Sequence, residues 1–432
     1  TSGSMRKALV SCGQAPHSAI LGCADSRVPV DTVFDAMPGE LFVLRNAGNT
    51  CTHSEGSMVG SLEFCTGKLG TRLILVLGHT QCGAIAGATQ TFQANESKAP
   101  GCALEGLLQG LASVAKTASE ELGPGAAPEQ LVAHAVKVNV FQSMNFFLKF
   151  SAPIREMVRK GELDIQGGIY HLETGRVEFL GRSPQQAELL AAEGTLPPSM
   201  ALGTVRTTSD GPMAPQAALK LLKVGNERFV VGAGISGKVT PDMRRALVKE
   251  GQAPHTAIIG CADSRAPLET VFDAMPGDIF VLRNAGNTCT HAEGSMVGSL
   301  EFCTGKLGTR LILVLGHTQC GAIAGATQTF QANESKAPGC ALEGLLQGLA
   351  SVAKTASEEL GPGAAPEQLV AHAVKVNVFQ SMNFFLKFSA PIREMVRKGE
   401  LDIQGGIYHL ETGCVEFLGR SPQEAELLAS SE

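Results

Sequence analysis

Three short apolar runs punctuate the first half of the chain: SAILGC at 18–23, LFVLRN at 41–46 and LILVLGH at 73–79. Runs this short, closed by polar turn residues, predict strands of a parallel sheet buried on both faces. Between the second and third, SMVGSLEFCTGKLG predicts a crossover helix and so a βαβ unit. A helical pattern follows over 104–160, broken by GPGAAP at 123–128. The half closes with DIQGGIYHLETGRVEFLG, which predicts a hairpin on the sheet edge around a turn at 173–175.

The whole pattern then returns. Cys23 and Cys261 lie 238 positions apart, as do His79 and His317, and residues 55–175 recur without a change as 293–413. Outside that block the copies differ mildly, as at Val28 and Ala266, Asp31 and Glu269, and Arg176 and Cys414. Two domain-sized copies predict a duplicated fold, not a solenoid. The first repeat is expected over 1–194, a Pro/Gly/Ser/Thr-rich linker over 195–215 and the second repeat over 216–432. The second copy opens with an apolar-faced helix at 216–231 that has no counterpart in the first. The fold class expected is α/β. Each repeat would hold a mostly parallel central sheet flanked by helices, with a C-terminal edge hairpin.

Composition narrows the function classes. The chain has 432 residues, 44% hydrophobic and 18% charged, with a net charge of −6. That balance argues against a nucleic-acid or anionic-membrane surface, which needs a basic stripe. No apolar run reaches the ~20 residues of a membrane span. Twelve cysteines without local pairing spacing suggest a reducing intracellular compartment. TSGSM at the start reads as a cut end without targeting information, so cytoplasm and plastid both stay open.

Chemistry concentrates in two stretches. GCADSRVP at 22–29 would place Cys23, Asp25 and Arg27 on one face if it is extended. LGHTQCGAI at 77–85 puts His79 and Cys82 three apart at the end of an apolar strand, where α/β sheets build their sites. Two thiolates and an imidazole form a soft zinc set with a fourth position open, the mark of a catalytic site. Two other readings stand at this point: buried cysteines acting as small hydrophobes, and a nucleophilic Cys23–His79 pair. His53 and His291 are candidate proton shuttles, although a loop histidine without that role is the plainer reading. His134 and His171 fall in helical and strand patterns and read as structural. GAGISG at 232–237 follows a helix and leads into Pro241, which rejects a dinucleotide fingerprint.

CADSRxP, PGELFVLRNAGN (38–49), GSLEF (60–64) and GHTQCGA (78–84) together closely resemble the β-class carbonic anhydrases, over essentially all of both copies. Tandem copies are similar to the arrangement of some algal members. The resemblance implies reversible hydration of carbon dioxide to bicarbonate through zinc-bound hydroxide. It also implies two zinc ions per chain, one on Cys23, His79 and Cys82, the other on Cys261, His317 and Cys320. Asp25–Arg27 and Asp263–Arg265 match the family's catalytic dyad. Gln14 and Gln252 match a glutamine that hydrogen-bonds substrate in constitutively open members, so the expectation is an open site, not one closed by Asp. Phe42, Phe64, Phe280 and Phe302 would line the pockets, and Gly83 and Gly321 would offer backbone N–H groups to substrate. Phe64 and Phe302 stand where a tyrosine is frequent.

The same resemblance implies an intramolecular pseudo-dimer, each pocket taking Gln and Phe side chains from the opposite repeat, and leaves room for a homodimer of chains as a pseudo-tetramer. Two rivals remain at this level: a zinc hydrolase acting on carbon disulfide or carbonyl sulfide, and a non-catalytic zinc-stabilised sensing protein.

Overall fold

The computed structural model describes residues 3–51, 57–94, 100–190, 239–272, 274–289, 295–332 and 337–429. The linker, the helix expected at 216–231, His53 and His291 lie outside these described residues. In the first repeat the strands are β1 (Ser18–Cys23), β2 (Leu41–Asn46), β3 (Leu73–His79), β4 (Asp164–Tyr170) and β5 (Val177–Gly181). In the second they are β6 (Thr256–Cys261), β7 (Ile279–Asn284), β8 (Leu311–His317), β9 (Asp402–Tyr408) and β10 (Val415–Gly419). The three apolar runs are indeed buried parallel strands, and the closing segment is the expected antiparallel hairpin.

The ten strands of the described residues form one sheet in the order β10-β9-β8-β6-β7-β2-β1-β3-β4-β5. β1 pairs parallel with β2 and β3, and β3 with β4. The halves join where β2 and β7 run antiparallel, paired at Arg45 and Arg283. Period-two alternation divides the side chains. Ile74 and Val76 enter a core that is continuous across both repeats. Leu73, Leu75 and Leu77 enter a smaller core on the opposite face.

Helices cover the larger core. The expected crossover helix is Ser57–Gly67, and the long helical region comprises Ala103–Leu122, Pro128–Phe150 and Ala152–Arg159. The second break, not foreseen, falls at Ser151, whose hydroxyl accepts a bond from the Ile154 N–H and starts a new helix ahead of Pro153. Helix Ser57–Gly67 packs on Ala341–Leu360 of the other repeat, and the reverse contact mirrors it. At Gly60 a Cβ would stand 2.8 Å from the Ala341 carbonyl oxygen, so only glycine allows this approach. Buried Glu63 accepts bonds from the Leu342 N–H and the Ser151 hydroxyl, both at 2.6 Å, capping a helix across the interface. The two repeats thus form an intramolecular pseudo-dimer with a shared core.

Candidate metal centre

β1 ends at Cys23 and β3 at His79, adjacent carboxyl ends of parallel strands, while Cys82 immediately precedes helix Gly83–Gln93. Their Sγ and ring nitrogen atoms lie within 4.8 Å of one another, fully buried, and the same holds for Cys261, His317 and Cys320. Gln81 adopts a left-handed φ of 56°, which turns the chain sharply enough to bring Cys82 back toward His79.

The imidazole is oriented from behind. His79 Nδ1 donates to the Thr80 carbonyl at 2.9 Å, leaving Nε2 as the lone-pair nitrogen. That Nε2 is buried without a hydrogen-bond partner, as is Nε2 of His317. An orphaned acceptor between two thiols is an arrangement completed by a soft cation.

The two thiols differ in acidity. Burial opposes ionising Cys23, yet its hydrogen bond with Cys82 holds its pKa well below the usual thiol range. Cys82 is pushed well above, first by its bond to Cys23 and then by burial. The Gly48 N–H also points at Cys23 Sγ, 3.3 Å away, with Gly48 at φ 73°. The signal in the sequence is the glycine of NAGN, the residue type that reaches a left-handed φ at least cost.

Asp25 and Arg27 do come together, but not by strand alternation. β1 stops at Cys23, and the segment after it turns. Asp25 Oδ1 accepts from the Arg27 backbone N–H and Nε, both at 2.9 Å, and Oδ2 accepts from Nη2 at 2.6 Å. The backbone bond, possible only in a turn, makes the fork rigid. Burial works against charge on Asp25, but the hydrogen bonds and charge of Arg27 outweigh it and keep the carboxyl below its usual range. Asp263 is held at about 2, where the attraction of Arg265 overcomes burial. Asp25 Oδ2 lies 3.8 Å from His79 Nε2, close to the ligand atoms yet engaged by arginine.

The pocket residues divide between repeats. Gln252 Oε1 accepts from Ser26 N at 2.8 Å and Ser26 Oγ at 2.6 Å, and Gln14 does the same for Ser264. Each glutamine oxygen is therefore spent on the opposite repeat's Asp-Ser-Arg turn, leaving only its amide nitrogen for a ligand. Phe302 stands against Gly83 and Phe64 against Gly321. Phe280 lies 6.3 Å from Phe302 between ring centroids, as Phe42 does from Phe64. His134 and His171 are engaged with Glu121 and Glu178.

A family model described as "Carbonic anhydrase" matches residues 18–177 and again 256–415. Carbonic anhydrase 2 of Mycobacterium tuberculosis is 35% identical over 200 residues, 46% of this chain and 90% of that protein. The carbonic anhydrase of Mycolicibacterium smegmatis is 32% identical over 203 residues, 47% of this chain and 93% of its own. Among solved structures, a Coccomyxa β-carbonic anhydrase in complex with acetazolamide is 28% identical, with TM-score 0.36, covering 40% of this chain and 75% of that one. A β-carbonic anhydrase from Sordaria macrospora is 29% identical, with TM-score 0.36, covering 40% and 84% respectively.

Proposed function

The chain belongs to the carbonic anhydrase family as a tandem member of its β class, and we propose that it hydrates carbon dioxide at two zinc sites, one per repeat. The observation that carries the metal assignment is the unpartnered Nε2 of His79 and of His317, each facing two buried thiols. On this reading Cys23, His79 and Cys82 hold one ion and Cys261, His317 and Cys320 the other. Zinc bound there would supply Lewis acidity, allowing water to ionise near neutral pH.

The chain's own residues do the rest. Asp25 stays ionised because Arg27 satisfies it, so Oδ2 can accept a hydrogen bond from the attacking oxygen and turn that oxygen's lone pair toward carbon. Arg27 is itself fixed by the Gln81 carbonyl, 3.1 Å from Nη2, so the carboxylate is aimed before substrate arrives. Phe302 and Phe280 give the first site an apolar wall suited to uncharged, linear carbon dioxide. The amide nitrogen of Gln252, whose oxygen is held by Ser26, would donate to a developing bicarbonate oxygen. In the second site Asp263, Arg265, Gln14, Phe64 and Phe42 take these parts. The sheet ends in β5 and β10, whose outer backbone edges are the proposed route to a pair of chains.

Stopped-flow hydration with zinc quantitation tests this reading. Cys82→Ser and Cys320→Ser should each remove one zinc and a share of the activity, and the double variant should lose both. Full activity in the double variant would overturn it.

A further inference from the structure

Two arginines occupy the seam between the repeats, and their surroundings differ. Arg45 and Arg283 are each 1% exposed. Arg45 donates from Nε to the Cys23 carbonyl and from Nη2 to the Asp25 carbonyl, both at 2.8 Å. Arg283 does the same for Cys261 at 2.9 Å and Asp263 at 2.8 Å. Each guanidinium therefore clamps the backbone that carries one sulfur ligand and the dyad acid of its own repeat.

The third corner of each fork reaches across the seam. Arg45 Nη1 donates to Glu269 Oε1 of the second repeat. Arg283 Nη1 stands 3.6 Å from Asp31 Oδ2 of the first repeat and makes no hydrogen bond. The cause is in the sequence: where the second copy has glutamate the first has aspartate, one methylene or about 1.5 Å shorter. The sulfur and imidazole ligands, the dyads and the clamping arginines are the same in both copies.

We infer that Glu269 and Asp31 are positioning residues acting in trans, Glu269 on the first site and Asp31 on the second, and that the second site is held more loosely. The short aspartate leaves one guanidinium nitrogen of Arg283 unbonded, so the clamp on Cys261 and Asp263 has one anchor fewer. Because the ion pair itself persists at 3.6 Å, the missing hydrogen bond corresponds to about a three- to tenfold difference in an equilibrium or rate. The inference rests on the zinc reading above, because it concerns how firmly each repeat holds its ligands.

The test is zinc release from the full zinc-loaded chain to an excess of 4-(2-pyridylazo)resorcinol, followed by absorbance. Two equivalents should leave in two phases. Cys320→Ser should retain only the slow phase and Cys82→Ser only the fast one. Glu269→Asp in the Cys320→Ser chain should speed release about three- to tenfold, and Asp31→Glu in the Cys82→Ser chain should slow it comparably. Should the larger side chain at 31 prevent folding, Glu269→Asp, which only shortens a side chain, decides alone. A purely structural effect on the fold would speed both phases of the intact chain equally, whereas Glu269→Asp there should move only the slow one. Two equivalents released in one phase, unaltered by these exchanges, would overturn the inference and leave the zinc reading standing. A chain that binds no zinc would remove both.

Discussion

The ring of Phe302 in the second repeat ends 2.9 Å from where a Cβ on Gly83 of the first would stand. A methyl there must push the ring outward, and overpacking of this kind costs about 1–3 kcal/mol. Gly83→Ala, in a chain whose second site is silenced by Cys320→Ser, should therefore lower hydration at the first site several-fold. Adding Phe302→Leu should restore much of the loss, giving a coupling that a stopped-flow double-mutant cycle measures. Simple additivity of the two changes would place the pair out of contact.

Arg27→Lys keeps the charge beside Asp25 but not the planar fork. Two side-chain bonds to the carboxylate and one to the Gln81 carbonyl would be lost or bent. At about 1.5–3 kcal/mol for a hydrogen bond to a charged group, turnover at that site should fall roughly ten- to a hundredfold with zinc content unchanged. Undiminished turnover would show that aiming of the carboxylate does not limit the reaction.

Asp31 gives a pH dependence of unusual sign. Burial raises its pKa to about 6, Arg283 only partly offsetting this and Glu269 adding to it. An unfolded aspartate titrates at about 4, so between these values the folded chain holds a proton that the unfolded chain has lost. Stability contributed by this group therefore falls as pH rises from about 4 to about 6, by about 3 kcal/mol, and is constant on either side. Urea unfolding of the chain and its Asp31→Asn variant on both sides of that window checks it. The variant should lose less stability than the parent on going to neutral pH, and equal losses would contradict the assignment.

Thiol reactivity should be just as uneven. Cys12 and Cys414 are exposed, whereas Cys51 and Cys289 are buried and pushed up to about 12 by that burial. With Ellman's reagent the native chain should titrate Cys12 and Cys414 quickly, and Cys51 and Cys289 only after unfolding. Rapid labelling of Cys51 in the native chain would show that its surroundings open readily.

The strands and the ligand trio were legible because their signals are local. An apolar run of six or seven residues has few ways to be buried, and His79 and Cys82 sit three apart at the end of one. The Asp25–Arg27 pair is legible as a pair, but strand alternation is not what joins it, and a backbone N–H bonding a side chain two residues back leaves no periodic trace. The partners across the seam were hidden for a different reason. Glu63 and Glu301, or Gln14 and Gln252, have the same neighbours in sequence, so nothing in the string says that each serves the other copy. Arg45 reads as an ordinary strand residue within LFVLRNAGN, and the two carbonyls it clamps lie about twenty positions upstream and meet it only in the folded chain.

In an assembly of two separate identical chains, one codon writes both sides of a twofold contact, so every substitution arrives twice and the two active centres must change in step. Joining both halves in one polypeptide gives each side of the Arg45–Glu269 and Arg283–Asp31 contacts its own codon. Selection can then tune one centre while leaving its twin alone, and the single methylene between residues 31 and 269 is a difference that two copies of one identical chain could not carry.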